Sequence, residues 1–213
     1  MQCQAIKTTV CLIFLLALLN SNISWANGWK LEKQKNSVSI YSKKNASGYK
    51  KILVKTIVEA NPHALIALLD DVTFSSDWIH NCIEVRILEE FSATERLLNS
   101  FFAAPWPVKN RDMVFYSKTT INNNTIQIEI SDRADIIPHH PNFVRMQNMN
   151  GLWEASPLEN GTTQITYTGS GNPSGNLPIS IANKHLITSM FKTFQNLKTV
   201  ILLDKYKPIK ITD

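Results

Sequence analysis

The side chains that could do chemistry in this 213-residue chain are few and scattered. Its five histidines, His63, His80, His139, His140 and His185, carry neither the His-Glu-x-x-His pattern nor the spacing of a zinc site. His139 and His140 lie between Pro138 and Pro141, which suits an exposed turn better than a metal pair. Ser170 stands between Gly169 and Gly171, but the frame is not the Gly-x-Ser-x-Gly of a nucleophile elbow, and no glycine loop is built to cradle phosphate. Cys82 reads as a small buried hydrophobe, not a nucleophile. No catalytic residue, metal ligand or cofactor is therefore expected. Two arginines remain, Arg111 and Arg145, each in strand-like sequence among apolar neighbours. A guanidinium inside an apolar wall needs an anionic partner. Arg111 reads as a brace paired with Asp112, Asp132 or Glu129. Arg145 is open to two readings, a similar brace or an inward anchor for the polar end of a ligand. The chemistry on offer is binding, not bond breaking.

The elements that must position these groups follow from periodicity. Residues 38–42 and 52–58 alternate as strands, with Ile52, Val54 and Val58 on one face. Asn61 and Pro62 then open a helix whose Leu65, Leu68, Leu69 and Val72 recur at helical spacing, and residues 75–79 hold a second, short one. Strand patterns return for a long stretch. Ile83, Val85 and Ile87 alternate with charged residues, as do the 97–102 and 113–117 runs with their neighbours; an Asn turn at 122–124 leads to Ile126, Ile128 and Ile130. Residues 143–153 and 165–169 complete the set, predicting a meandering antiparallel sheet. The last segment changes period. Ile179, Ala182, Leu186, Met190, Phe194, Leu197 and Ile201 draw one stripe on a helix of about 40 Å that should end before Pro208. Its only long apolar partner is the concave face of the sheet. The expected fold is α+β, a curved antiparallel sheet gripping a long C-terminal helix.

Composition sets the outer bounds. With 44% hydrophobic and 18% charged residues, 7 Gly and 9 Pro, the chain is neither disordered nor collagenous. Lys7, the apolar run 10–19 and the Ser24, Trp25, Ala26 trio predict an export signal over residues 1–26, cleaved after Ala26, which leaves 27–213 as a single domain. Cys3 and Cys11 would depart with it, and no intrachain disulfide would then be open to Cys82. The formal charge of +5, one less without Lys7, suits transient contact with an anionic membrane surface, while the absence of basic runs interleaved with aromatics argues against nucleic acid. Asn45, Asn123 and Asn160 open sequons that an Asn-rich chain accumulates readily, so the expected location is periplasmic or secreted.

Four segments carry a resemblance. They are Pro105-Trp106-Pro107 followed by Arg111-Asp112-Met113-Val114, then Phe143-Val144-Arg145, Gly151-Leu152-Trp153 with Pro157, and Asn172-Pro173-Ser174-Gly175-Asn176-Leu177-Pro178. In this order they resemble the steroidogenic-acute-regulatory-related lipid-transfer (START) domains of the helix-grip superfamily, in particular the exported bacterial type. Asn172 stands where the family has Asp, and Trp78 is followed by Ile79 where the family often has Asp. The resemblance implies an internal cavity for one lipid or sterol-like ligand, with a terminal helix acting as its lid. A single domain whose last helix covers its own sheet is expected to be a monomer. Two other readings stay open: a cavity enzyme, since the wider superfamily includes cyclases and hydrolases, and a periplasmic interaction factor. The residues expected around such a ligand are Trp106, Arg111, Phe115, Arg145, Trp153, Tyr167, Met190 and Phe194.

Overall fold

The computed structural model describes residues 28–207. The expected export signal, residues 1–26, lies outside them, as does Pro208. The elements run β1 (Lys30–Lys35), β2 (Val38–Lys44), β3 (Lys50–Val58), α1 (His63–Asp70), α2 (Ser75–Trp78), β4 (Cys82–Ser92), β5 (Glu95–Phe102), β6 (Asn110–Asn122), β7 (Thr125–Asp132), β8 (Phe143–Arg145), β9 (Gln147–Pro157), β10 (Thr163–Asn172) and α3 (Ile179–Val200). They form one curved sheet in the order β1-β2-β3-β10-β9-β7-β6-β5-β4, antiparallel along that path, with the short β8 joining β6 in parallel. The sheet wraps α3, as the periodicity predicted.

Short polar turns fix the registers. Asn123 and Asn124 both take positive φ, +48° and +61°, the mirror-image turn that matches the twist of a tight hairpin. Asn36 and Ser37 make the same turn between β1 and β2. β1 itself, Lys-Leu-Glu-Lys-Gln-Lys, gave no apolar alternation to read; it forms because it pairs with the half-buried β2 at the sheet edge. At the opposite edge β4 carries three register shifts, and Glu84, Arg86, Glu89 and Glu90 put charge along it, two devices that discourage further strand pairing.

Two boundaries differ from expectation. Residues 143–153 are two strands, not one: β8 pairs with the start of β6, and β9 crosses to lie between β7 and β10. Apolar alternation cannot show a change of partner. The C-terminal helix ends at Val200, about 33 Å long, because the chain turns back so that Tyr206 and Lys205 reach Asp71 at the end of α1. The Lys205 ammonium 2.6 Å away, with Thr73 and Tyr206 as further donors, pulls the Asp71 carboxyl down to about 2.

The dry core fills one end of the grip. Val38, Ile40, Val54, Val58, Ile126, Ala155 and Ile165 of the sheet meet Leu65 and Leu68 of α1, Trp78 of α2, and Phe191, Phe194, Leu197 and Ile201 of the C-terminal segment. The fully enclosed part of α3 begins at Phe191; Leu186, Ile187 and Met190, earlier on the helix, pack against this core only partly buried. No described helix is long and apolar enough to cross a membrane.

Candidate functional site

The first half of α3 stands off the sheet, and the space beneath it is a cavity of about 380 Å³. β6 supplies its longest wall. Strand alternation turns Arg111, Met113, Phe115, Ser117 and Thr119 to the inside, a row that covers about 26 Å at the usual rise per residue. Leu98, Ser100 and Phe102 of β5 lie alongside; Ile181, Leu186 and Met190 of α3 close the roof. Across the sheet the same channel reaches Ile52 of β3, Ile128 and Ile130 of β7, Trp153 of β9 and Tyr167 of β10. Its lining is dominated by carbon, and it lies at the lower end of the about 300–1,000 Å³ range of sites that enclose one drug-sized molecule.

The floor depends on two glycines. Gly151 and Gly169 face each other across β9 and β10, and the Tyr167 ring lies over both. A Cβ at either position would come within 2.7 or 2.6 Å of the Tyr167 hydroxyl, so only glycine leaves the ring its place. Trp153 packs beside it, centroids 4.7 Å apart, and stacks on Phe194 at 5.4 Å. Burial pushes the Tyr167 phenol up to about 12, so it remains protonated.

The two arginines lie on opposite faces of the sheet. Arg111 cannot pair with Asp112, because neighbours on a strand point to opposite faces. Asp112 points to the convex face, directly opposite Arg145 in the β6–β8 register. There Arg145 Nε and Nη2 each lie 2.8 Å from Asp112 Oδ2, with both side chains essentially inaccessible to solvent. The remaining guanidinium hydrogens go to the carbonyls of Ala134, Ile137 and Pro138, pinning the β7–β8 connection to the sheet. Arg145 is therefore the brace and does not reach the cavity. Arg111 does: it lines the channel at 8% exposure and donates to the Lys109 carbonyl.

Five of the eight expected residues, Arg111, Phe115, Trp153, Tyr167 and Met190, line the cavity together. Three do not. Besides Arg145, Phe194 is fully buried behind Trp153 in the dry core, because α3 has already closed on the sheet at that turn. Trp106 is 92% exposed at the tip of the β5–β6 loop; Ala103, Ala104, Pro105 and Val108 of that loop border the cavity instead. Sequence reading missed His80, Asn81, Asn183 and His185, which also line the channel. Asn183 had one signal: it is a polar residue beside Ala182 on the inner stripe. It accepts from the Lys50 amide at 2.9 Å and donates to the Gly48 carbonyl at 3.1 Å, tying the start of α3 to the turn before β3. Nothing local marked His80 and Asn81.

The polar groups near the roof do not assemble a nucleophile. Asn81 Nδ2, which can only donate, lies 3.3 Å from His185 Nε2. His185 Nδ1 lies 3.3 Å from Ser189 Oγ, and among the described residues no carboxylate bonds the ring to orient it as a base for that hydroxyl. Burial first, then the charges of Arg111 and Lys192, lowers the His185 pKa and favours this neutral ring. Cys82 is buried, and burial pushes its thiol up to about 11, away from a reactive thiolate.

A profile of START domains matches residues 15–206 of this chain. The chain belongs to the START domain family. Uncharacterized protein PA1579 of Pseudomonas aeruginosa is 30% identical over 176 residues, which span 82% of this START domain chain and 87% of that protein. Two solved structures share its fold. The STAR-related lipid transfer protein from Xanthomonas axonopodis (fragment 25–204) superposes with a TM-score of 0.76 at 23% identity, covering 83% of this chain and all of that one. Human StAR-related lipid transfer protein 5 gives a TM-score of 0.72 at 20% identity over 94% and 98%.

Proposed function

We propose that this START domain binds one lipid in the channel beneath α3 and carries it between membranes as an exported, monomeric protein. The observation that carries the reading is the channel itself: an apolar-lined space of about 380 Å³ that the chain's own side chains leave unfilled. Removing apolar ligand surface from water there contributes roughly 25 cal/mol per Å². Native mass spectrometry of the purified chain, followed by organic extraction, tests it. The expected result is one lipid per chain; a bare chain that also takes up no added lipid would end the proposal.

Delivery requires a gate and a membrane-facing surface. The exposed Trp106, Ile179 and Ile181 are apolar groups on the β5–β6 loop and on the start of α3, the two segments that border the channel, and the basic chain charge favours an anionic surface. The sheet is cross-linked by its ladder, whereas the first half of α3 is held by side chains, among them Asn183, which bonds the Lys50 amide and the Gly48 carbonyl, and Leu186 and Ile187, which pack on the core. Asn183→Ala should cost about 1–3 kcal/mol by orphaning the Lys50 amide and the Gly48 carbonyl. It should also speed transfer of a fluorescent lipid between vesicles. Lost stability with unchanged transfer would place the gate away from α3.

A further inference from the structure

The cations on the channel wall are not equivalent. Lys50 is neutralised by Glu32 at 2.6 Å, and Arg96 by Asp70 at 2.7 Å with Glu90 at 3.1 Å. Arg111 is different: among the described residues no carboxylate pairs with it, and its one hydrogen bond goes to the carbonyl of Lys109, two residues away. The acid beside it in sequence, Asp112, is taken by Arg145 on the far face. Yet Arg111 is more than nine-tenths buried, and that burial works against its charge. A mostly buried guanidinium that lines an apolar channel without a carboxylate partner is complementary to an anion, in the forked geometry that suits carboxylate and phosphate.

Position adds the second half of the argument. Arg111 begins the inward row of β6, and Met113, Phe115, Ser117 and Thr119 follow in line, so one charged end is continuous with a mostly apolar wall, and the space of about 380 Å³ has room for one chain. His185 and Asn81 already satisfy each other, which leaves Arg111 as the group without a polar partner of opposite charge. Resting on the reading of the channel as a lipid site, we propose that its ligand is a single-chain anionic amphiphile. The carboxylate or phosphate head pairs with Arg111, and the chain runs along the β6 row toward Thr119.

The test uses the full chain and three probes that share an oleoyl or oleyl tail: oleate, oleoyl lysophosphatidate and neutral oleyl alcohol, each titrated by native mass spectrometry. At least one anion should bind about tenfold to hundredfold more tightly than the alcohol, the range of a charge-assisted pair. Which anion wins identifies the head as carboxylate or phosphate. Arg111→Met should bring the anions down to the level of the alcohol measured on the same variant, and Arg111→Lys should retain part of the preference. Equal affinity for all three probes in the unaltered protein overturns the head-group assignment but leaves the lipid channel standing; binding of none overturns both. Should Arg111→Met fail to fold, the comparison of probes on the unaltered chain still decides.

Discussion

Arg145→Met is expected to destabilise the fold by about 3–5 kcal/mol while leaving the ligand affinity of the folded molecules unchanged. The substitution leaves the Asp112 carboxylate buried with its partner gone, and frees the carbonyls of Ala134, Ile137 and Pro138 that hold the β7–β8 connection. Asp112→Asn should cost a similar amount, because it strands the guanidinium. Replacing both, Asp112→Leu with Arg145→Met, should recover much of the loss, since no buried charge is then left alone. Urea unfolding of the three variants checks this. An Arg145→Met protein within about 1 kcal/mol of the original that had lost its ligand would return Arg145 to the role of anchor.

The second large effect separates the two halves of α3. Phe194→Ala should cost about 3–5 kcal/mol, because the ring is fully buried and stacked on Trp153, where neighbours cannot collapse into the hole. Met190→Ala, one turn earlier, should cost under about 2 kcal/mol: its side chain already borders open space, so truncation widens a void instead of creating one. Met190→Ala should, in return, shift binding toward longer or bulkier chains, which a mixed-lipid competition read by mass spectrometry would show. Equal stability losses with no change in chain preference would mean that both turns belong to the dry core.

The architecture was largely legible because its carriers are local. Alternation over 52–58 and 126–130 can only be a half-buried strand, and the stripe from Ile179 to Ile201 can only be a helix seeking a long apolar partner. The Asn turn at 122–124 was equally plain. What alternation could not convey was pairing. It merged β8 and β9 into one strand, and it passed over the polar β1, whose existence depends on the edge of β2.

The candidate site shows the same division at the scale of single residues. That one face of β6 would carry Arg111, Met113 and Phe115 follows from the two-residue period, as does the impossibility of an Arg111–Asp112 pair on that face. Which face would be the inside, however, depends on where α3 lies and on β8 arriving beside β6 to set Arg145 opposite Asp112. Phe194 and Met190 share one stripe in the sequence, but the standoff between helix and sheet changes along the stripe, so one became core and the other roof. Composition, period and turn chemistry are properties of a few consecutive residues, and the sequence alone determined most of the elements and the grip, though not β1 or the break between β8 and β9. The channel, its unpaired arginine and the buried ion pair arise from side chains far apart in the chain, 33 positions for Asp112 and Arg145 and 135 for Gly48 and Asn183, and only the packed tertiary structure decided them.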